Sequence, residues 1–264
     1  MGYKVSEIIN RIEDSFPVSL AMEWDNPGLI CGHGDKEVET VLIALDADLL
    51  NIDRAVRSGA DMIISHHPMI FSAIKKVNDL EPVGRKLLKL IENNISCYAM
   101  HTNFDIGRGG MADIVAERLG VENIRPIEIT GEDEGGSLGI GFAAEFSDTD
   151  GFTARELSAL LKERFSLERV WYYDSGRPIK RIAVCPGSGK GMMTEVLSLG
   201  VDAYITGDTG HHDGLDYKDA GVTLIDAGHY GLEHVFIDEM SEFISNKFPL
   251  LKIVKGAEDE REFV

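Results

Sequence analysis

The chain has 264 residues, of which 44% are hydrophobic and 27% charged, a composition typical of a globular protein rather than a disordered or collagen-like one. Its 26 basic and 45 acidic residues give a formal net charge of −19. Because like charges repel, this charge disfavours nucleic acid and anionic lipid as partners. Apolar runs such as 41–45 and 61–64 fall far short of the roughly 20 residues that a bilayer requires, so we expect no membrane span.

The cysteine pattern indicates a reducing, cytoplasmic setting. Cys31, Cys97 and Cys185 form no CxxC pair, and an odd number in distant segments is a poor disulfide framework. Near the N-terminus, charged residues interrupt the apolar positions of segment 7–14, which is unlike a signal peptide. We predict an amphipathic helix there.

Strands and helices alternate from residue 41 onward. The predicted strands are 41–45, 61–64, 95–100, 182–185, 202–205 and 222–225. Their continuously apolar sequences are typical of parallel strands that are buried on both faces. The sequence therefore predicts an α/β fold with mixed, largely parallel sheets.

The chain also contains an internal similarity. Segments 58–65 and 199–206 match at a glycine, at an aspartate two residues later, and in an apolar run that ends in a hydroxyl residue. Segments 41–45 and 182–186 fall at the same offset of 141 residues, which is 202 − 61 for the aspartates. We predict two similar halves that arose by duplication. The alternative is the general likeness of all α/β units.

The segment between the two halves, 126–180, has a different sequence pattern. It contains a glycine-rich strand pattern at 135–146 and a helical pattern at 154–165. The helix opens with Thr153 and Glu156 at the spacing of a capping box, so we assign both residues a structural role.

Polar clusters directly follow several of the predicted strands. They are 65–68, 101–105, 187–190, 207–212 and 228–233. In open α/β sheets ligands bind outside the carboxyl ends of the strands, where loops from different strands converge. These clusters are therefore the candidate functional residues.

Two adjacent histidines, His66 and His67, begin a loop and are followed by Pro68. Pro68 restricts the preceding residue to extended backbone, and neighbouring side chains on extended backbone point apart. Such a pair serves two neighbouring metal ions more readily than it chelates one. The alternative is one core histidine and one surface histidine.

Two carboxylates are further candidate ligands. His229 and Glu233 are four residues apart in a helical pattern, so they share a helix face and can bind one cation. Glu233 could instead stabilise a helix start. Asp105 could bridge two divalent ions or serve as a helix cap or turn residue.

The glycine-rich loop Gly187–Lys190 has two interpretations. Its backbone donors could approach a phosphate at the following helix, but the loop lacks the Walker A pattern because Val184 and Gly191 occupy two of the required positions. A simple turn into the helix explains the glycines equally well.

Taken together, the motifs resemble the NIF-three-like family, many of whose members are labelled GTP cyclohydrolase 1 type 2 homologs. The resemblance is carried by 65–68, 101–105, Gly228-His229-x-x-x-Glu233 and the segment 23–29, and it extends over essentially the whole chain. It implies a fold of two intertwined α/β halves and a homo-oligomer in the form of a hexameric ring. The chain lacks room for the extra middle domain of some relatives.

The resemblance also implies a dinuclear metal site. Its ligands would be His66, His67, Asp105, His229 and Glu233. Imidazole and carboxylate donors suit two divalent ions of Zn, Fe, Mn, Co or Ni. We expect most of these ligands in a first domain, 1–125 plus 222–264, and we assign 126–221 to a second domain.

Other candidate site residues are proposed from their position. The resemblance puts His101 close to the metals without making it a ligand, so we predict a hydrogen-bonding partner or proton shuttle, a catalytic role. For His211 and His212 we leave pocket-lining and solvated roles open.

Two divalent ions with water make metal-assisted hydrolysis of a small molecule the natural reaction class. The cyclohydrolase label would specify opening of a purine ring, with Phe104, Tyr230 or Phe71 to stack the base. One alternative is a non-enzymatic metal-binding, storage, insertion or regulatory protein. Another is a two-metal phosphatase or nuclease.

Overall fold

The computed structural model describes residues 2–147 and 150–257. Its strands are β1 (Tyr3–Lys4), β2 (Gly28–Cys31), β3 (Glu37–Val38), β4 (Thr40–Ala44), β5 (Met62–Ser65), β6 (Ser96–Ala99), β7 (Glu122–Asp133), β8 (Gly136–Glu145), β9 (Trp171–Tyr173), β10 (Arg181–Val184), β11 (Ala203–Thr206), β12 (Thr223–Asp226) and β13 (Lys252–Lys255).

The helices are α1 (Val5–Glu13), α2 (Leu49–Ser58), α3 (Pro82–Glu92), α4 (Thr102–Ile106), α5 (Met111–Leu119), α6 (Ala154–Arg164), α7 (Met193–Ser198), α8 (His211–Asp219), α9 (His229–Glu233) and α10 (Val235–Lys247), with a 3-10 helix at Val18–Leu20. The N-terminal amphipathic helix is confirmed as α1, which buries Val5, Ile8 and Ile12. The capping box is confirmed on α6, where Thr153 Oγ1 accepts from the Glu156 backbone N–H.

The chain divides into two compact units. The first comprises Met1–Gly107 and Phe236–Val264, and the second comprises Arg108–Val235. The borders predicted from the sequence were 125 and 221 instead. The border at 221 differs because the strand at 223–226 hydrogen-bonds to β11 of the second unit, so residues up to Val235 belong there. The border at 125 differs because α5 packs against β8 and α6 of the second unit.

The first unit contains a five-stranded sheet in the order β13-β4-β5-β6-β2. Strands β13, β4, β5 and β6 are parallel, and β2 is antiparallel to β6. Every residue of β4, β5 and β6 is buried. These strands contribute to an apolar core that includes Leu42, Ile63 and Cys97, packed with Ile52 of α2 and Leu90 of α3. The loops after β5 and β6 therefore leave a rigid sheet at the same edge.

The second unit contains a six-stranded sheet in the order β7-β8-β10-β11-β12-β9. Only the central strands β10, β11 and β12 are parallel, and β8 and β9 flank them in antiparallel fashion. Its core includes Ala183, Val196 and Tyr204. The predicted α/β class with mixed, largely parallel sheets is confirmed, with parallel pairing predominant in the first sheet and confined to the central strands of the second. Each predicted strand is found within one residue at each end.

A shared aspartate contact supports the predicted internal similarity. In the first unit, Asp61 Oδ2 accepts hydrogen bonds from the backbone N–H groups of residues 39 and 40, at 2.9 and 3.1 Å. In the second unit, Asp202 Oδ2 accepts from those of residues 180 and 181, at 3.0 and 2.8 Å. Donors and acceptors are all displaced by 141 residues. Each aspartate therefore fixes the start of the strand that comes before it along the chain, β4 or β10.

No helix in residues 2–147 and 150–257 is long and apolar enough to cross a membrane.

Candidate metal centre

Three histidines converge at the carboxyl edge of the first unit's sheet. His66 and His67 directly follow β5, and His101 follows the neighbouring strand β6. Because β5 and β6 are parallel, their loops leave the sheet side by side. One ligand atom of each histidine lies within 4.8 Å of those of the other two. This group can hold a metal ion.

The Nδ1 atom of each histidine is fixed by an oxygen acceptor. His66 Nδ1 lies 2.9 Å from the Met100 carbonyl oxygen, and His67 Nδ1 lies 2.9 Å from Asp46 Oδ1. His101 Nδ1 lies 2.8 Å from Asp25 Oδ1. Since these oxygens only accept, Nδ1 carries the proton and Nε2 keeps its lone pair. This is the tautomer that metal-binding histidines use, oriented by a carboxylate or carbonyl behind the ring.

Asp105 adds a carboxylate to the same group. It lies on α4, four residues after His101, and its Oδ1 is 3.5 Å from His66 Nε2. A carboxylate and an imidazole nitrogen that approach each other in this way form a mixed oxygen and nitrogen donor set. Such donors suit Zn, Fe, Mn, Co and Ni. The predicted residues His66, His67 and Asp105 are therefore brought together, and His101 joins them.

The buried carboxylate of Asp25 positions His101. Besides its bond to His101 Nδ1, Asp25 accepts from the Thr102 backbone N–H at 3.0 Å and from Thr102 Oγ1 at 2.6 Å. The Asp25 side chain has no exposed surface. Burial acts to raise the pKa of Asp25, but the hydrogen bonds from His101 and Thr102 outweigh it and lower the pKa to about 2. Asp25 is therefore ionised at neutral pH and holds the His101 ring in place.

The second unit supplies the other two predicted ligands. His229 and Glu233 lie one turn apart on α9, with His229 Nε2 3.2 Å from Glu233 Oε2. His229 Nδ1 lies 2.7 Å from Asp208 Oδ2, so this ring is oriented in the same way as the histidines of the first unit. Glu233 is buried. The pair offers one nitrogen and one carboxylate oxygen to a cation.

A buried aspartate also anchors the loops of the second unit. Asp226 Oδ2 accepts from the Thr209 backbone N–H at 2.8 Å and from Thr209 Oγ1 at 2.5 Å, and its Oδ1 accepts from the Gly228 N–H at 2.8 Å. These bonds fix the residues next to Asp208 and His229. Asp25 bonds to Thr102 in the same manner, so each unit uses a buried carboxylate to hold its site loops.

The glycine-rich loop after β10 is a turn that approaches Glu233. The Gly189 N–H donates to Thr206 Oγ1 at 2.8 Å, and the Gly189 carbonyl accepts from the Tyr204 hydroxyl at 2.9 Å. These bonds use the backbone groups of Gly189 within the unit. Gly187 has a φ of +69°, and a Cβ at this position would overlap Glu233 Oε1. Of the two interpretations of this loop, the turn is therefore favoured.

Replacing Gly187 with Ala is expected to destabilise the second unit by about 2 to 4 kcal/mol, because a strained φ adds to a steric clash with Glu233. Gly176→Ala is the matched control, since Gly176 has a φ of +74° and no atom lies within 4 Å of the point that its Cβ would occupy. Chemical denaturation of both variants measures the difference. Equal losses in the two variants would show that the contact of the added Cβ with Glu233 does not lower the free energy of unfolding.

The predicted ring-stacking residues differ in their surroundings. Phe104 is only 1% exposed and packs edge-on against Phe16 at 4.9 Å and Phe236 at 5.2 Å. Its ring offers no face to a ligand, so the substrate-binding role predicted for Phe104 is corrected to a core role. Tyr230 is stacked on His234 with ring centroids 5.3 Å apart, and its predicted role stays a prediction.

Asp46 was not predicted from the sequence, and Asp208 was included in the cluster 207–212 without a stated role. These two carboxylates accept from the Nδ1 atoms of His67 and His229. They come just after β4 and β11, and the predicted ligands also follow strands, so their position in the sequence could have indicated them. His211 and His212 lie at the start of α8, where His211 Nδ1 is 3.2 Å from the Tyr173 hydroxyl. Neither belongs to a metal-capable group among the described residues.

A family model and two named relatives match nearly the whole chain. Residues 3–259 match the family model described as Duf34/NIF3 (NGG1p interacting factor 3). A Clostridium acetobutylicum protein named GTP cyclohydrolase 1 type 2 homolog is 36% identical over 243 residues, 92% of this chain and 90% of that protein. One of the same name from Clostridium perfringens is 34% identical over 99% of this chain and 100% of that protein.

Solved structures resemble the chain over its whole length. A hypothetical protein of Staphylococcus aureus has a TM-score of 0.88 at 29% identity, with 100% of both chains covered. Reduced HcgD from Methanocaldococcus jannaschii has a TM-score of 0.83 at 30% identity, with 97% of this chain and 98% of that chain covered.

Proposed function

Because the chain belongs to the Duf34/NIF3 family, we propose that it is a metal-dependent hydrolase of a small molecule. The observation that supports this most is the histidine group of the first unit. The Nδ1 atoms of the two ligand histidines, His66 and His67, are held by oxygen acceptors, and Asp105 Oδ1 lies 3.5 Å from His66 Nε2. His101 has its ligand atom within 4.8 Å of those of both histidines, close enough to act on water bound beside them. Such preorganisation of several Nε2 atoms is what a bound cation requires.

We assign two divalent ions per chain to the five ligands that the family resemblance implies. They are His66, His67, Asp105, His229 and Glu233. The supporting chemistry is that each of these residues offers an unprotonated nitrogen or a carboxylate oxygen and is oriented by the fold of its own unit. Five protein ligands leave coordination positions of two ions for water and substrate, which favours catalysis over a closed structural site.

When bound, divalent ions supply polarisation of a carbonyl or phosphoryl oxygen and activation of water. The chain's own contribution is proton transfer. We assign this step to His101, whose Nε2 would accept the proton of the attacking water while Asp25 stabilises the positive charge through Nδ1. Asp25 itself stays ionised, because its pKa is lowered to about 2.

The name of these relatives, GTP cyclohydrolase 1 type 2 homolog, makes GTP the first substrate to test. The panel also includes generic phosphoesters, which a two-metal phosphatase would cleave. We expect the metal-loaded chain to hydrolyse a member of this panel and the chelator-treated chain to do so only after metal is restored. By family resemblance we propose a hexameric assembly, which native mass measurement tests.

The variant His101→Ala separates chemistry from metal binding. We expect it to keep the wild-type metal content and to lose at least about 100-fold in kcat, since general acid–base catalysis typically contributes about 10² to 10⁴. Glu163→Gln, an exposed carboxylate change on α6, is the control and should match wild type. Loss of metal in His101→Ala would show that His101 is a ligand. A wild-type chain that binds its full metal content but hydrolyses no member of the panel would favour a non-enzymatic metal-binding protein.

A further inference from the structure

Two large aromatic side chains of the first unit are exposed beside the histidine group. Trp24 is 56% exposed and Phe71 is 53% exposed. Their ring centroids lie 5.8 Å apart with the planes inclined by 49°. Large aromatic rings normally contribute most of their area to a core or an interface, so two that meet in solvent are candidates for binding a partner.

Both rings also lie near His101. The centroid of His101 is 6.2 Å from that of Trp24 and 6.4 Å from that of Phe71, and both pairs meet edge to face, at 72° and 74°. His101 in turn lies 5.2 Å from His66, ring centroid to ring centroid. The exposed aromatic surface is therefore continuous with the candidate metal ligands of the same unit.

The backbone that carries Trp24 is held on both sides. The Met22 N–H donates to Thr102 Oγ1 at 3.0 Å, and Asp25 bonds to His101 and Thr102. Next along the chain, the Asn26 side-chain amide donates to the carbonyl oxygen of residue 70 at 2.7 Å, which ties the Trp24 loop to the Phe71 loop. A loop fixed in this way loses little backbone freedom when the ring that it carries binds a ligand.

The spacing of the rings limits how a ligand can sit. Two stacking contacts of about 3.5 Å each would need about 7 Å between the rings, more than the 5.8 Å that separates Trp24 from Phe71. A ligand ring therefore cannot insert between them. It can pack on the exposed surfaces of both rings, with one edge toward His101.

We propose that Trp24 and Phe71 form a stacking surface for the planar heteroaromatic ring of a small-molecule ligand. Such a ring has an apolar face that matches the indole and phenyl groups, and a polar edge that suits the imidazole of His101. This inference adds a ligand class to the proposed function. It rests on that function for the claim that the bound molecule is hydrolysed. Phe71 is one of the three stacking candidates named from the sequence, and Trp24 takes the place of Phe104, which is buried.

Fluorescence of Trp24 tests the stacking surface directly. The chain has two tryptophans, so Trp171→Phe leaves Trp24 as the single indole. Guanosine and adenosine are the probes, ribose is the non-aromatic control, and free N-acetyltryptophanamide corrects for light absorbed by the probes. We expect saturable quenching by the nucleosides and none by ribose.

Variants assign the binding to these two rings. In the Trp171→Phe background, Phe71→Ala should weaken nucleoside binding about tenfold, because base stacking on an aromatic side chain is worth about 1 to 3 kcal/mol. Leu80→Ala is the matched control: Leu80 is 83% exposed and lies in the same connection between β5 and α3, and it should bind as the background does. A chain with Trp24→Phe and Trp171 retained should show no quenching.

Two results would overturn the inference. One is the absence of saturable quenching by either nucleoside, or equal affinity in Phe71→Ala. The other is Trp24 emission that depends on protein concentration, with a lower native mass for Trp24→Phe, which would assign the surface to a second copy of the chain. An assay of the same nucleosides with the metal-loaded chain separates the two proposals. Saturable quenching without hydrolysis in that sample supports the surface and counts only against the reaction, whereas both proposals expect quenching without hydrolysis in metal-depleted protein.

Discussion

Replacing Asp105 with Asn is expected to remove most of the bound metal from the chain. The amide has no negative charge and only one oxygen, so it cannot balance a divalent ion or bridge two of them. Even the partners behind metal ligands are worth about 10- to 100-fold in affinity, so loss of a ligand carboxylate should weaken binding by about 100-fold or more. Glu233→Gln should act in the same way.

Metal titration of the apo protein, followed by elemental analysis, measures this effect. The matched control is Asp35→Asn, which removes an exposed carboxylate of the first unit and should leave metal binding unchanged. Thermal unfolding without metal checks that Asp105→Asn still folds. If the folded Asp105→Asn and Glu233→Gln chains bound metal as tightly as wild type, neither residue would be a ligand.

Replacing Asp25 with Asn is expected to have the second large effect. An Asn side chain can still accept from Thr102, but its amide N–H groups then face His101 Nδ1, which in the wild-type chain donates to Asp25 Oδ1. His101 would shift its proton to Nε2 and lose the lone pair that would accept the proton of the attacking water. In Ser-His-Asp enzymes the equivalent change costs about 10⁴ in kcat. We expect a fall of about 10² to 10⁴ in turnover.

Thr40→Ser is a matched control for Asp25→Asn, because it changes another buried polar residue of the same unit, on β4, that is not a partner in the hydrogen bonds from His101 and Thr102 to Asp25. It should leave turnover unchanged. Turnover by Asp25→Asn at the wild-type rate, with normal metal content, would show that Asp25 has no part in the reaction.

Asp25 also predicts how the stability of the metal-free protein depends on pH. Its pKa is lowered from 3.8 to about 2 in the folded state, so folding favours the ionised form. The stabilisation is therefore fully present above about pH 4 and is lost as the pH falls toward 2. The shift corresponds to about 2 kcal/mol. Denaturation of wild type and Asp25→Asn across this range should converge at low pH.

Much of the fold could be predicted from the sequence, because fully buried parallel strands leave continuous apolar runs. Strands β5 and β11 illustrate this. The aspartates that precede them, Asp61 and Asp202, marked the repeat in the sequence, and the backbone contacts that they share support it. Strand β9 was not predicted. It is an exposed edge strand of three residues, whose pairing with β12 follows from the sheet and not from an apolar pattern.

The site was predictable where its residues follow strands directly, as His66 does. The contacts behind the histidines were not, because they join residues such as Asp25 and His101 that are distant along the chain. For the same reason the burial of Phe104 could not be recognised: its neighbours Phe16 and Phe236 come from opposite ends of the sequence. The exposure of Trp24 likewise depends on how its loop is anchored.

The most direct test of the central claim is elemental analysis of the wild-type chain purified without chelator. We predict about two divalent ions per chain, removed by chelator and restored by Zn, Mn or Fe(II). A chain that holds no metal, even after incubation with these ions, would contradict the proposed centre and the reaction built on it.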